Sequence, residues 1–380
     1  MVTSLHRFLV PVLSVVSIAA LRVPPAALAQ ARYEIDARIS IDGGNTRTAG
    51  AEFGVDSQRR ATHCDVRVRP SANLGRVMAS HSANTTYCLD AGTFKVTSTI
   101  QTDAGDRVIG SGRNATLIDG TGVPPTAPGI FETDSGNHFA RLDIFGAPTP
   151  AAGSGVYCSP DPNCGKAFTT RGSSLTLRSV DCHNNGGACI AGGGSSNVTV
   201  KDLRCWHNGN PYSMTPDFRY ASCIKRAYAE TPGNDTTVVD SYIHDNAWVG
   251  VWCDFCKYGI FRVASSRIIH NGANGIQWEM SGGWTSDDRA FVRNNVIHGN
   301  NYLEEASFRG GVGVSTGNDI TVEGNTFGHN SVAGVNVIIE ASRNPPQPDA
   351  RGVVVDSNTM NGDAVLGCSL AGIICSSNNN

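Results

Sequence analysis

The sequence predicts an all-β fold wound as a parallel solenoid, and three observations carry that prediction. Six strand-like runs close on an asparagine: Asn184, Asn208, Asn246, Asn271, Asn300 and Asn330, in the contexts CHN, WHN, HDN, IHN, HGN and GHN. The two best-matched units are IHDNAWVGVWCD, ending at Asp254, and IIHNGANGIQWE, ending at Glu279, so these acids share one phase 25 residues apart. A β-rich repeat of that length is short for a helix pair and reads as one solenoid turn. Finally, apolar triplets recur roughly every 8 to 12 residues between Gly, Asp and Asn corners, the mark of many short strands.

Composition agrees. Charged residues make up 17%, aromatics 7%, and there are 43 glycines, which suits tight turns between strands better than helices. The formal net charge of −3 gives no reason to expect nucleic acid or an anionic membrane as partner.

Taken in order, residues 1–29 read as a secretory signal. His6 and Arg7 precede the apolar run Phe8 to Leu21, and Ala27-Leu28-Ala29 is a small-residue cleavage site. That run is 14 residues long and contains Pro11, which disfavours a permanent membrane span. The mature chain is therefore expected to be exported, soluble, and free of a membrane span. Residues 30–84 are polar and irregular, a capping segment with weak strands near Tyr33 to Ile41 and Val66 to Val68. Residues 85–365 carry the repeat, with triplets at Leu175, Val198, Thr237, Ile260, Ala290, Ile320 and Val353. Insertions at about 209–222, 282–288 and 301–310 become loops on the side of a solenoid, and they flank the Asp254 and Glu279 turns. The tail, 366–380, is expected to cap the open strand edge.

Twelve cysteines fit an oxidising compartment and a disulfide framework. Cys158 and Cys164, Cys253 and Cys256, and Cys368 and Cys375 are close in sequence. Repeat phase stacks Cys189 on Cys223 and puts Cys182 and Cys205 in similar places; Cys64 and Cys88 complete the set. A zinc site would need two CxxC-like halves, and only Cys253 to Cys256 has that spacing, so no metal is expected.

Tyr87-Cys-Leu-Asp-Ala-Gly-Thr-Phe, Val108-Ile-Gly-Ser-Gly and the recurring N-V-T-V-x-D … H-N units resemble the secreted right-handed parallel β-helix proteins of the pectate-lyase-like superfamily. The resemblance implies a single-domain right-handed parallel β-helix acting on or binding a poly- or oligosaccharide. That scaffold carries many reactions, so the chemistry must be argued from the site.

Alternation along a strand gives the site. Counting from Val251 as inward, Trp252 and Asp254 point out; counting from Ile276, Gln277 and Glu279 point out. Two carboxylates on neighbouring turns lie about one strand spacing, ~4.8 Å, apart. They repel, so one is expected to keep its proton near neutral pH while the other stays ionised. That is the arrangement of a retaining glycosidase. Aligning Ser222 to Arg226 on the preceding turn brings Arg226 into the same column as electrostatic support, with Lys225 beside it. Trp252, Lys225, Lys257, Gln277, Trp284 and Tyr302 are the candidate substrate-binding residues, the aromatics as stacking platforms for sugar rings.

Gly250-Val-Trp-Cys-Asp254 and Gly275-Ile-Gln-Trp-Glu279-Met-Ser are similar to strands of the β-helix retaining β-xylosidases. The resemblance implies Asp254 as nucleophile and Glu279 as acid/base; no counterpart of an inserted β-sandwich is present, so it carries no sugar identity. The rival reaction is a polysaccharide lyase or epimerase on a uronate glycan, with Lys225, Arg226 or Lys257 as base and Ca²⁺ on clustered acids. No Gly-Asp-Asp doublet of inverting hydrolases occurs, since Asp287-Asp288 lies in an insertion. A non-catalytic carbohydrate-binding solenoid is the third reading.

Overall fold

In a computed structural model of the chain, the residues described are 63–149, 164–171, 174–193, 197–209, 223–227, 235–256, 259–282, 289–304, 310–338 and 351–379. The strands pair in parallel, each turn resting on the next. Thr236–Val239, Tyr242–His244 and Val251–Asp254 make one turn. Ile260–Ala264, Arg267–Ile269 and Ile276–Glu279 make the one stacked on it. The third strand of every turn belongs to a ten-stranded sheet running from Ile100–Gln101 to Val365–Leu366. The other strands form a continuous array of eighteen. The expected triplets at Leu175, Val198, Thr237, Ile260, Ala290, Ile320 and Val353 all fall on this second array.

The core is a stack of like residues in register. Val251, Ile276, Val312 and Val335 are successive partners on the ten-stranded sheet. Ile243, Ile268, Ile297 and Phe327 do the same on the other array. All eight are fully buried, and each contributes about 1.5–3 kcal/mol of hydrophobic stabilisation.

The corners need a left-handed residue followed by a buried amide. Asp245, His270 and His329 take φ of 51°, 53° and 54°, and Asn246, Asn271 and Asn330 follow them with their amides turned inward. Each amide donates from Nδ2 to the Oδ1 of the next. The chain runs Asn185 to Asn208 (2.9 Å), Asn246 (3.0 Å), Asn271 (3.0 Å), Asn300 (2.9 Å) and Asn330 (3.0 Å), ending on Asp363. Asn184 is not part of it. It holds the left-handed position (φ 52°) and is exposed, and Asn185 supplies the amide. A second ladder, Asn295 to Asn325 to Asn358 to Asn378, lines another corner with donor–acceptor distances of 2.9, 3.0 and 3.0 Å.

At the N-terminal end the helix Leu74–Ala79 buries Leu74 and Met78, and Asn73 caps it by accepting from the Arg76 amide at 2.9 Å. Within the described part of residues 30–84, Val66–Val68 already pairs with Thr86–Leu89, so the parallel pairing begins before residue 85. The signal segment 1–29 and the weak strand near Tyr33 lie outside the described residues. At the other end, the described part of residues 366–380 covers the strand edge by continuing the pairing. Val365–Leu366 and Ile373–Ser376 pair with Val335–Ile338 and Val353–Asp356 and extend both arrays by one more turn. The described residues fall within one compact unit, Ala61–Asn380. No helix among them is long and apolar enough to cross a membrane.

Disulfides join Cys64–Cys88, Cys182–Cys189, Cys205–Cys223, Cys253–Cys256 and Cys368–Cys375. Cys164 is also disulfide-bonded, and its expected partner Cys158 lies outside the described residues. Cys182 does stack on Cys205, but their bonds, to Cys189 and Cys223, run within a turn, whereas Cys64–Cys88 links two paired turns. Stacked residues of a parallel ladder send their Cβ atoms side by side, whereas cysteines on facing strands of one turn meet across the core.

Candidate active site

The ten-stranded sheet presents two outward columns. One runs Lys225, Trp252, Gln277, Gly313, Asn336; the other runs Ala227, Asp254, Glu279, Ser315, Ile338. Asp254 and Glu279 are therefore direct partners on adjacent strands, with backbones one strand spacing apart, about 4.8 Å. They lie outside the apolar core but are far from open: Glu279 is 3% exposed and the Asp254 side chain 14%.

Three contacts organise the pair. Lys225 Nζ lies 3.3 Å from Asp254 Oδ2. The same ammonium sits 3.7 Å from the centroid of the Trp252 ring, a cation–π contact. Trp252 Nε1 donates to Glu279 Oε2 at 3.0 Å. Lysine, tryptophan and two carboxylates thus form one connected unit over three turns, with each acid held by a different partner. Ser281 Oγ donates to the Glu279 carbonyl at 2.6 Å and accepts from the Cys256 amide at 2.8 Å, which fixes the end of the glutamate strand.

Arg226 is not in this column. Ladder pairing sets it opposite Cys253, which itself faces Trp278, so it points into the core and is 1% exposed. Aligning Ser222 to Arg226 with Gly250 to Asp254 is one residue out of the true register, Ile224 opposite Val251, and a one-residue slip sends a side chain to the other face. Burial lowers the Arg226 guanidinium from its ordinary value to about 10. The cation described beside Asp254 is Lys225. Trp252 also departs from its expected use as a sugar platform, because it is 4% exposed and one face carries the lysine. Trp278 is wholly inside, its Nε1 donating to the Asn318 carbonyl at 3.0 Å. Gln277 is buried beside Asn274, its amide oxygen accepting from Asn274 Nδ2. Tyr302 is exposed at the asparagine corner, stacked 4.5 Å from the His270 ring. Lys257 and Trp284, and most of the three insertions, lie outside the described residues.

Beside the acids Asn274, Gln277, Gly313, Ser315 and Asn336 line a narrow crevice with no room for a water molecule. Sequence reading missed Asn274, Ser315 and Asn336; their one signal is that Ser315 and Asn336 repeat the slots of Glu279 and Gln277 on later turns. It also missed a second carboxylate pair on the other array, Asp143 opposite Asp181. Asp143 is held by His183 Nε2 at 2.9 Å, and Asp181 by Arg113 Nε at 3.1 Å. Burial pushes Asp181 up to about 6 against the pull of Arg113. Arg113 also reaches Asp202 at 3.0 Å, so this cluster braces neighbouring turns. Among the described residues no three His, Cys, Asp or Glu side chains gather as a metal set.

Residues 144–288 match a family model described as "Right handed beta helix region". No curated protein matches the sequence. Among solved structures the chain is similar to the catalytic domain of a GH87 alpha-1,3-glucanase in complex with nigerose. That match has a TM-score of 0.54 and 11% identity over 83% of this chain and 68% of that one. It is similar to an alginate lyase from Paenibacillus sp. str. FPU-7, with a TM-score of 0.52 and 13% identity over 83% and 99%. It is also similar to the Dettilon tailspike protein, with a TM-score of 0.51 and 14% identity; the alignment covers 81% of this chain but spans only 64% of the tailspike. These likenesses agree on the fold: the chain is a right-handed parallel β-helix.

Proposed function

We propose that this β-helix is an exported carbohydrate-active enzyme, a retaining glycoside hydrolase with Asp254 as nucleophile and Glu279 as acid/base. The observation that carries the reading is the in-register pairing of Asp254 with Glu279, each clasped by its own partner. Backbones one strand spacing apart, about 4.8 Å, favour the short carboxylate separation of retaining enzymes. In the first step the Glu279 carboxylic acid gives its proton to the glycosidic oxygen as the C1–O bond breaks. An Asp254 oxygen takes C1 as an ester. In the second step Glu279, now a carboxylate, takes a proton from water, whose oxygen attacks C1 and frees Asp254. The Lys225 ammonium takes the supporting place expected of Arg226, balancing the aspartate charge while Glu279 holds its proton. Disulfides along the chain fit export to an oxidising compartment.

Asp254→Asn and Glu279→Gln are each expected to lower turnover of a cleaved glycan by at least about a thousandfold, with the melting temperature nearly unchanged. Proton NMR of the first product formed should show retained anomeric configuration. Full activity in either variant, or an inverted product, would sink the assignment. Lys225, 3.3 Å from Asp254, motivates a second reading, a lyase or epimerase that removes a proton beside a uronate carboxylate. Elimination would yield an unsaturated product absorbing in the ultraviolet, and Lys225→Met would then abolish the reaction outright.

A further inference from the structure

We infer that the Cys253–Cys256 disulfide is a clip that sets Asp254 against Glu279, so that the pair works at full rate only when this bridge is oxidised; this rests on the hydrolase reading and gives its regulation. Each acid is the last residue of its strand, Val251–Asp254 and Ile276–Glu279. A strand end is where ladder bonding stops and fraying starts. The bridge falls just past that point and encloses only Asp254 and Phe255. Asp254 faces outward while Cys253 faces inward, and both cysteines are buried in the apolar core, at 1% and 6% exposure. The sulfurs therefore hold the aspartate strand from beneath.

Two observations separate this bridge from ordinary stabilisation. In the chain-entropy account a disulfide gains with the length of loop that it closes. The other described bridges join residues 24, 7, 18 and 7 apart, and this one joins residues 3 apart, so it adds least to the fold and most to local geometry. The same left-handed corner also forms on the next two turns, at Met280 (φ 45°) and Thr316 (φ 49°), where no cysteine stands. The corner at Phe255 (φ 55°) thus needs no bridge to fold. What the bridge adds is a grip on the glutamate's turn. The Phe255 amide donates to the Glu279 carbonyl (3.0 Å), the Cys256 amide to Ser281 Oγ (2.8 Å), and the Gly282 amide to the Cys256 carbonyl (3.1 Å). With the ring closed, Asp254 and the end of the Glu279 strand are held as one body. With it open, Asp254 loses that tether, and a shift of about 1 Å costs on the order of a hundredfold in rate. Closure takes two protons and two electrons from the thiols; exchange passes the electrons to a partner disulfide, which leaves as two thiols. A reducing compartment would keep the acids slack, and an oxidising one would set them.

Steady-state kinetics on whichever glycan is cleaved test this with Cys253→Ala/Cys256→Ala. The control is Cys182→Ala/Cys189→Ala, whose bridge closes a turn two strands away along the ten-stranded sheet. The site variant is expected to lose about ten- to a hundredfold in kcat, with KM changed by less than about threefold. Its melting temperature should fall no further than that of the control, which should keep its kcat. Hydrogen-exchange mass spectrometry should find faster exchange over residues 255–256 and 280–282 in the site variant. A second route leaves every side chain in place: the wild type is reduced with dithiothreitol until alkylation and peptide mass spectrometry find Cys253 and Cys256 as thiols. Its kcat should then fall by the same factor and return on reoxidation. Unchanged kcat in the site variant or in the reduced wild type, or an equal fall in the control, would each overturn the clip. Failure of the hydrolase reading looks different: Asp254→Asn and Glu279→Gln would stay active while exchange over those residues still quickened on loss of the bridge.

Discussion

Lys225 and Arg226 are neighbours in the chain, yet one lies in the site and the other in the core. The difference is parity on a strand, and it decides which cation the acids meet. Lys225 carries the larger structural load, because its ammonium touches both the Asp254 carboxylate and the Trp252 ring. Trp252 in turn is a positioning residue: its indole N–H holds Glu279 at 3.0 Å while its face supports the lysine. Trp252→Phe keeps a ring for the ammonium and removes only that N–H. On the proposed mechanism, kcat should fall by about ten- to a hundredfold as the acid loses its fixed orientation, with KM changing much less. Steady-state kinetics beside a thermal melt make the check. An unchanged kcat would mean that the bond to Glu279 is scaffold alone.

At the scale of elements, the asparagine ladder sets the register that brings the acids together. Asn271 receives a bond from Asn246 and gives one to Asn300, all three being fully buried. Asn271→Ala leaves an unpaired donor on one side and an unpaired acceptor on the other, so stability should drop by about 2–4 kcal/mol. Asn184→Gly should be nearly neutral, because that residue is exposed and its φ of 52° suits glycine. Urea unfolding of the two variants measures the contrast, and equal losses would refute this ladder. The repeat was legible in the sequence because the amide and the apolar triplets recur with each turn. The phase of Asp254 and Glu279 was legible too, since their units have equal corner lengths. The Arg226 turn was misread by one residue because the insertion at about 209–222 precedes its strand, so no fixed corner length sets the register there. The Asn274, Ser315 and Asn336 contributions were hidden because polar residues in outward slots look like ordinary solvated positions until the fold buries them.

The described strands form a stack in which each turn pairs only with its neighbours, so stability adds along the axis instead of radiating from one centre. Turns in the middle, such as that of Val251–Asp254, have a hydrogen-bonded strand on either side. The last turn has one: Ile373–Ser376 pairs only with Val353–Asp356 among the described residues, and Ile374 is 59% exposed. Opening it breaks one row of backbone bonds and uncovers little apolar surface, while opening a central turn breaks two rows and exposes the core. Amide exchange should therefore be fastest at residues 365–379, slower toward 335–338, and slowest in the strands from Lys166 to Glu279. The site lies several turns inside that fraying end, which keeps Asp254 and Glu279 in register while the terminus opens. Hydrogen-exchange mass spectrometry reads the gradient directly. Protection at Ile373–Ser376 equal to that at Val251–Asp254 would show that something else covers the final edge, and that the stack does not end where its strands do.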